Sequence, residues 1–118
     1  MPASQPVFGA KRSLMDSLDE FFGRGHLGRR EYVSKHWDGA FKDRHVIITR
    51  TRLASGEREY VVQDGDTRGR NTVTYNVFPN GTVTSPNQSG SSEALQRQLK
   101  KVLTWVKVHA MDAEPIYT

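Results

Sequence analysis

"HVIITRTRL" at positions 45–53, "ASGE" at 54–57 and "REYVVQ" at 58–63 together form the stretch whose reading decides the fold. Residues 46–53 concentrate Ile, Val and Thr, whose branched β-carbons favour extended backbone. A turn signal separates them from a second run reaching Asp64. Two extended runs joined this closely read as an antiparallel hairpin. With Ser55 and Gly56 as a two-residue loop, Arg52 lies opposite Glu59 and Thr51 opposite Tyr60. That register puts Ile47, Thr49, Thr51, Tyr60 and Val62 on one face, and Ile48, Arg50, Arg52, Glu59 and Val61 on the other.

A second hairpin follows the polar connection "DGDTRGRN" (64–71). Its strand is "TVTYNVF" (72–78), and "PNG" (79–81) turns it, with Pro79 presetting the turn and Gly81 taking the left-handed position of a bulge. Phe78 then pairs with Thr82 and Val77 with Val83. Val73, Tyr75, Val77 and Val83 share a core face, while Thr72, Thr74, Asn76, Phe78, Thr82 and Thr84 share an outer one.

Helical spacing brackets these strands. Ser13 is an N-cap with Asp16 three residues on, and Leu14, Met15, Leu18, Phe21 and Phe22 give an amphipathic helix over 14–22, stopped by Gly23. In "RREYVSKHWDG" (29–39), Tyr32, Val33, His36 and Trp37 fall at i, i+1, i+4 and i+5, which predicts a second short helix ending near Gly39, with a strand as the alternative. After the loop "SPNQSGSS" (85–92), Ser91 or Ser92 caps a helix over 92–109 whose stripe is Leu95, Leu99, Val102, Leu103 and Val106, with Trp105 at its edge. The expected fold class is α+β. It has two short N-terminal helices, an antiparallel sheet of about four strands in two hairpins, and a C-terminal helix on one sheet face. Residues 1–12 read as a loose arm, 13–110 as a single domain and 111–118 as a tail.

Composition narrows the chemistry. The 118 residues suffice for one core, and the lack of cysteine excludes disulfides and thiolate metal sites. No apolar run is long enough to span a membrane, and "MPASQPVFGAKR" lacks the apolar stretch of a secretory signal, so a soluble cytoplasmic protein is expected. The net charge of +4 is carried mainly by residues 1–30, with five basic and three acidic groups, whereas 71–92 is uncharged.

"GRGHLG" (23–28) matches the G-x-G-x-x-G dinucleotide fingerprint letter by letter. A helical segment precedes it where a strand is needed, and no βαβ alternation follows, so no cofactor is assigned. Gly28 ahead of Arg29 and Arg30 would open the second helix and favour an anion there, although a helix–helix linker with solvated arginines also explains the stretch. His26, His36, His45 and His109 lack metal-ligand spacing, and no serine has a convincing base beside it, so neither a metal nor an enzymatic activity is assigned.

What remains is a surface. Arg50, Arg52 and Phe78 share the open sheet face in this reading, with Arg68 and Arg70 in the adjoining loop and Arg29 and Arg30 extending the track. Arginines with an interleaved aromatic suit phosphate contact and base stacking, so the expectation is a non-enzymatic domain binding single-stranded nucleic acid or RNA. The competing expectation is a protein-interaction module, whether inhibitor, adaptor or self-assembling subunit such as a homodimer, using the same face or its edges.

Overall fold

Antiparallel pairing between neighbours in the chain organises the molecule from Arg30 to Thr84. The computed structural model describes residues 13–22, 29–37, 43–110 and 113. In chain order these form helix α1 (Leu14–Asp19), strands β1 (Arg30–Trp37), β2 (Arg44–Arg52), β3 (Arg58–Gly65), β4 (Val73–Val77) and β5 (Val83–Thr84), and helix α2 (Ser92–Val108). The strands make one sheet in the order β1-β2-β3-β4-β5, every pair antiparallel. The α+β architecture with a closing helix is therefore present, with five strands where about four were expected.

The extra strand replaces the second N-terminal helix. All eight residues of β1 pair with β2, from Arg30↔Thr51 to Trp37↔Arg44. Its alternation sends Glu31, Val33, Lys35 and Trp37 toward the core side. Two of those four are charged, which hides the period of two, while the outward Tyr32 and His36 complete an accidental helical pattern. Tyr, Val and Trp also prefer extended backbone, and pairing along the whole of β2 decides the outcome.

The β2–β3 hairpin differs from its expected register by one residue. Arg52 pairs with Arg58, Thr51 with Glu59 and Arg50 with Tyr60. The loop is therefore five residues, 53–57. The Leu53 N–H donates to the Glu57 carbonyl at 2.8 Å, the Gly56 N–H donates to the Leu53 carbonyl at 2.9 Å, and Gly56 sits at φ +91°. Because side chains alternate with period two, a slip of one exchanges the faces of one strand against the other. Val46, Ile48, Tyr60 and Val62 share the core side, and Ile47, Thr49 and Thr51 face out with Glu59 and Val61. The β4–β5 turn follows expectation: Val77 pairs with Val83, the Phe78 N–H donates to the Thr82 carbonyl at 2.9 Å, and Gly81 has φ +89°.

Helix α2 covers the core side. Ser91 is its N-cap, its side chain accepting the Ala94 N–H, and Leu95, Leu99, Val102, Leu103 and Val106 are all buried, as their spacing requires. At about 2 kcal/mol for each such side chain, this stripe supplies on the order of 10 kcal/mol of gross burial energy. Polar contacts set its position at both ends. The Val83 N–H donates to Ser92 Oγ at 3.0 Å, and the Trp37 indole N–H donates to the His109 carbonyl at 2.9 Å.

Helix α1 needs more help, since six residues are too few to be stable alone. Ser13 caps it as expected, accepting the Asp16 N–H at 3.1 Å. It ends at Asp19 rather than near 22, where the Phe21 and Phe22 N–H groups donate back to Leu18 and Asp19 as a tighter turn. Leu14 and Leu18 are buried, and Asp19 enters a cluster of charges on the sheet. There the Arg50 guanidinium donates to Glu31 Oε1 from Nε at 3.1 Å and from Nη2 at 2.5 Å, and to Asp19 Oδ1 from Nη1 at 3.0 Å. Arg58 reaches Asp19 Oδ2 at 3.2 Å, the Tyr60 hydroxyl donates to Asp19 Oδ1, and the Phe22 ring lies 4.4 Å from the Arg50 guanidinium carbon. Burial opposes the charge on Arg50, but its hydrogen bonds to Glu31 and Asp19 outweigh burial and raise its pKa. Burial first, then the bond to Asp19, raises that of Tyr60.

Arg50→Ala leaves two carboxylates in this cluster without their shared cation, so urea unfolding should register a loss of roughly 3 kcal/mol. Arg50→Lys should recover only part of it, because an ammonium cannot present the fork that spans both acids. Unchanged unfolding midpoints in both variants would contradict this role.

Candidate functional site

The three residues expected side by side on the open face are separated. Arg50 is 7% exposed and belongs to the core-side ion cluster. Arg52, two residues further along β2, takes the same side and is half-buried. The one-residue shift in the hairpin is the physical reason for both corrections. Phe78 keeps its expected exposure at 39%, just beyond the β4 end where Val77 pairs with Tyr60.

The loop arginines lie at the far end of the sheet. The Asp66 carboxylate binds the segment around them: Oδ1 accepts the Arg68 N–H at 3.0 Å and the Arg70 N–H at 2.7 Å, and Oδ2 lies 3.5 Å from Arg70 Nε. This loop follows Gly65, which pairs with His45. Arg68 and Arg70 are exposed, yet the length of β3 separates them from Arg52 and Arg58.

The opposite end of the sheet carries an arrangement that the sequence pattern did not expose. The Arg52 N–H donates to the Arg29 carbonyl at 2.8 Å, which continues the β1–β2 ladder one step, and Arg52 pairs with Arg58 on its other side. Arg29, Arg52 and Arg58 thus form one row across three neighbouring segments of the sheet, with successive members about 5 Å apart. Arg30, also exposed, follows Arg29 and faces outward, on the same side as Tyr32, which is 65% exposed. Among the described residues, the ion pairs of this row are confined to Arg58 with Asp19. The Nε atoms of Arg52 and Arg58 are buried without a hydrogen-bond partner. Like charges directly opposite on a sheet repel, so the row concentrates positive potential at this end. Two of its members, Arg29 and Arg52, and the adjacent Arg30 were expected at a binding surface. Arg58 was missed, because the assumed register placed Glu59 opposite Arg52.

The open face itself is nearly neutral. Ile47, Thr49, Thr51, Val61, Gln63, Thr74 and Asn76 occupy its centre. Near one corner, Ser34 Oγ lies 2.6 Å from His45 Nε2, and the His36 ring meets His45 edge-on at 5.8 Å between centroids. A hydroxyl on an imidazole is the first contact of a nucleophile–base pair, and this one was invisible in sequence because β1 was read as a helix. The nearby carboxylate of Asp66, which lines a small cavity with His45, Gln63 and Thr72, is committed to its own loop. Burial, and then the neighbouring His36, lower the pKa of His45 from 6.5.

The glycine-rich segment 23–28, with His26, lies outside the described residues. Helix α1 precedes it and strand β1 follows, so no helix starts after Gly28 to offer the expected anion site. Among the described residues there is no group of three or more His, Asp or Glu able to hold a metal ion, and no helix is long and apolar enough to cross a membrane. Comparison with protein-family models, curated proteins and solved structures finds no match to this chain.

The lowered pKa of His45 fixes the sign of a pH effect. The unfolded chain takes up this proton more readily than the folded one, so stability falls as pH drops through 6.5 and below. The urea midpoint should therefore decrease between about pH 7.5 and 5.5. In His45→Gln, which keeps a hydrogen-bonding group beside Ser34 and removes the titration, the decrease should be smaller. An identical pH profile in the variant would assign the effect to other groups.

Proposed function

We propose that this protein is a non-enzymatic domain that binds single-stranded nucleic acid through the arginine end of its sheet. The observation that carries this reading is the cross-strand row Arg29–Arg52–Arg58, a set of adjacent positive charges with a single ion-pair partner among the described residues. Successive phosphates along a single strand are spaced a few ångströms apart, comparable to the spacing of neighbouring β-strands, so the row can follow a backbone. Around the sheet end, on its open face, Arg30 adds a further phosphate contact, and the exposed Tyr32 ring beside it offers a face on which a base can stack as the strand passes over that edge. Arg50 holds the sheet together beneath this surface and makes no contact with the ligand. Arg68 and Arg70 extend the positive field at a distance, and Phe78 provides a second aromatic on the same open face as Tyr32, beyond the end of β4.

A second reading rests on a different observation. Strand β1 is an edge of the sheet, and the bond from Arg52 to Arg29 fixes which of its backbone groups face β2. By the alternation of an antiparallel ladder, the N–H and C=O groups of Arg30, Tyr32, Ser34 and His36 point away from the sheet. Among the described residues no strand pairs with them. Such an edge accepts an extended segment of a partner protein, or β1 of a second copy.

Titration of a labelled single-stranded oligonucleotide distinguishes the two. Four phosphate contacts give a salt slope of about −2.8, so affinity should fall roughly fiftyfold between 50 and 200 mM salt. Arg52→Ala should weaken binding of every sequence alike and reduce the slope by about 0.7, whereas Arg97→Ala on the exposed side of α2 should leave both unchanged. Absence of binding at low salt, or binding indifferent to salt, removes the nucleic-acid reading. In that case, a dimer in light scattering that Ser34→Pro converts to monomer would support the edge-pairing one.

A further inference from the structure

The far side of the molecule, along the second half of α2, carries an apolar groove that the nucleic-acid reading does not use. Its described lining is Lys100, Lys101, Thr104, Trp105, Val108 and His109, around a space of about 430 Å³. These residues are i, i+1, i+4, i+5, i+8 and i+9, two adjacent ridges on one helical face. Val108 is 70% exposed and continues the apolar surface of Trp105 toward the end of the helix. The space is wide open to solvent, so a ligand in it lies along the helix face rather than enclosed.

The floor of the groove is rigid. The Trp105 ring packs edge-on against the buried Trp37 at 4.9 Å and stacks on His109 at 4.2 Å. The Arg44 guanidinium carbon lies 4.2 Å from its centre and is itself fixed by a two-pronged bond to Asp64, at 2.8 and 2.7 Å. His109 Nδ1 is bonded to the Trp105 carbonyl at 2.9 Å. Side chains already held in place lose little freedom when a ligand arrives, which lowers the cost of binding.

The charges give the groove a direction. Lys100 and Lys101 stand at one end, and no described lining residue is acidic. The other end, at Val108 and His109, is the carboxyl terminus of α2, where the helix dipole and the last carbonyls repel negative charge. The distance along the axis from Lys100 to Val108 is about 12 Å. We infer that this groove binds a small amphipathic anion, a medium-chain carboxylic acid, with its carboxylate at Lys100 and Lys101 and its hydrocarbon chain running past Trp105 to Val108. The lysine stems cover the first methylenes while their ammonium groups reach the head group. A cationic amphiphile would meet the lysines with the wrong sign, and reversal would leave its chain lying over them.

Isothermal titration of the full chain with decanoate, kept below its micelle concentration, tests the inference against decyltrimethylammonium and decanol. Decanoate should bind with one-to-one stoichiometry, decanol more weakly and the cation not at all. Lys100→Ala combined with Lys101→Ala should weaken decanoate by roughly fivefold, as two exposed charge contacts are removed, and leave decanol unchanged. Val108→Asp should abolish decanoate binding. All of these positions are on the helix surface, and matched thermal melts verify that the variants remain folded. Equal binding of anion and cation, no binding of decanoate, or full affinity in the double lysine variant would each overturn the inference. Oligonucleotide binding, read separately through Arg52→Ala, is independent of every one of these outcomes.

Discussion

The Arg50 guanidinium, held between Glu31 of β1 and Asp19 at the end of α1, is the constraint on which the rest of this structure depends. A cation buried on the core side of a sheet requires acids brought to it, and here they come from two elements that could not fold by themselves. Strand β1 contributes Glu31 to the cluster in place of an apolar side chain, and α1 is a single short helix with two buried leucines. Replacing such a cluster with apolar groups costs little in many proteins, while removing one member leaves the others stranded. The cluster therefore specifies the arrangement of its elements more than it adds to net stability. Tyr60 and Phe22 close around Arg50, which with Glu31 is withdrawn from water, while Asp19 and Arg58 at the rim keep contact with it.

That arrangement explains which parts of the fold were legible in the sequence. Helix α2 was readable to within a residue, because its cap and its stripe of Leu and Val are local signals that packing merely uses. The same holds for the turn at 79–81, where Pro79 and Gly81 specify geometry directly. The β2–β3 hairpin was readable as an element but not in register. "ASGE" fits a loop of two or of five residues, and with Ile and Val on both faces the hydrophobic pattern does not choose between them. What chooses is the ion cluster, in which Arg50 must lie on the same side as Tyr60 and opposite Glu31. Strand β1 was unreadable for the same reason. A charged residue that faces inward looks like a solvated one until its partner, nineteen positions away, is known.

The candidate surface follows the same logic at one remove. Among the described residues, Arg44, Arg50, Arg58 and Arg70 are in ion pairs and Arg29, Arg30, Arg52, Arg68 and Arg97 are not, and sequence does not distinguish them. Arg44 is fixed to Asp64, Arg50 to two acids and Arg70 to its own loop, whereas Arg29 and Arg52 meet another arginine across the ladder. The shift of one residue that buries Arg50 also sets Arg52 against Arg58. A single shift in register thus takes Arg50 and Arg52 off the open face and brings Arg52 against Arg58 in a row at the end of the sheet.

The two borders of the sheet are unequal. Strand β5 has two residues, and the Val83 N–H is already taken by Ser92 at the start of α2. Its counterpart β1 runs for eight. Growth by strand addition can therefore proceed in one direction among the described elements. Were two copies to pair through β1, each would use up the one long border among its described strands, and the product would be a closed pair rather than a ribbon. A domain built this way can gain a partner strand without becoming a seed for fibres.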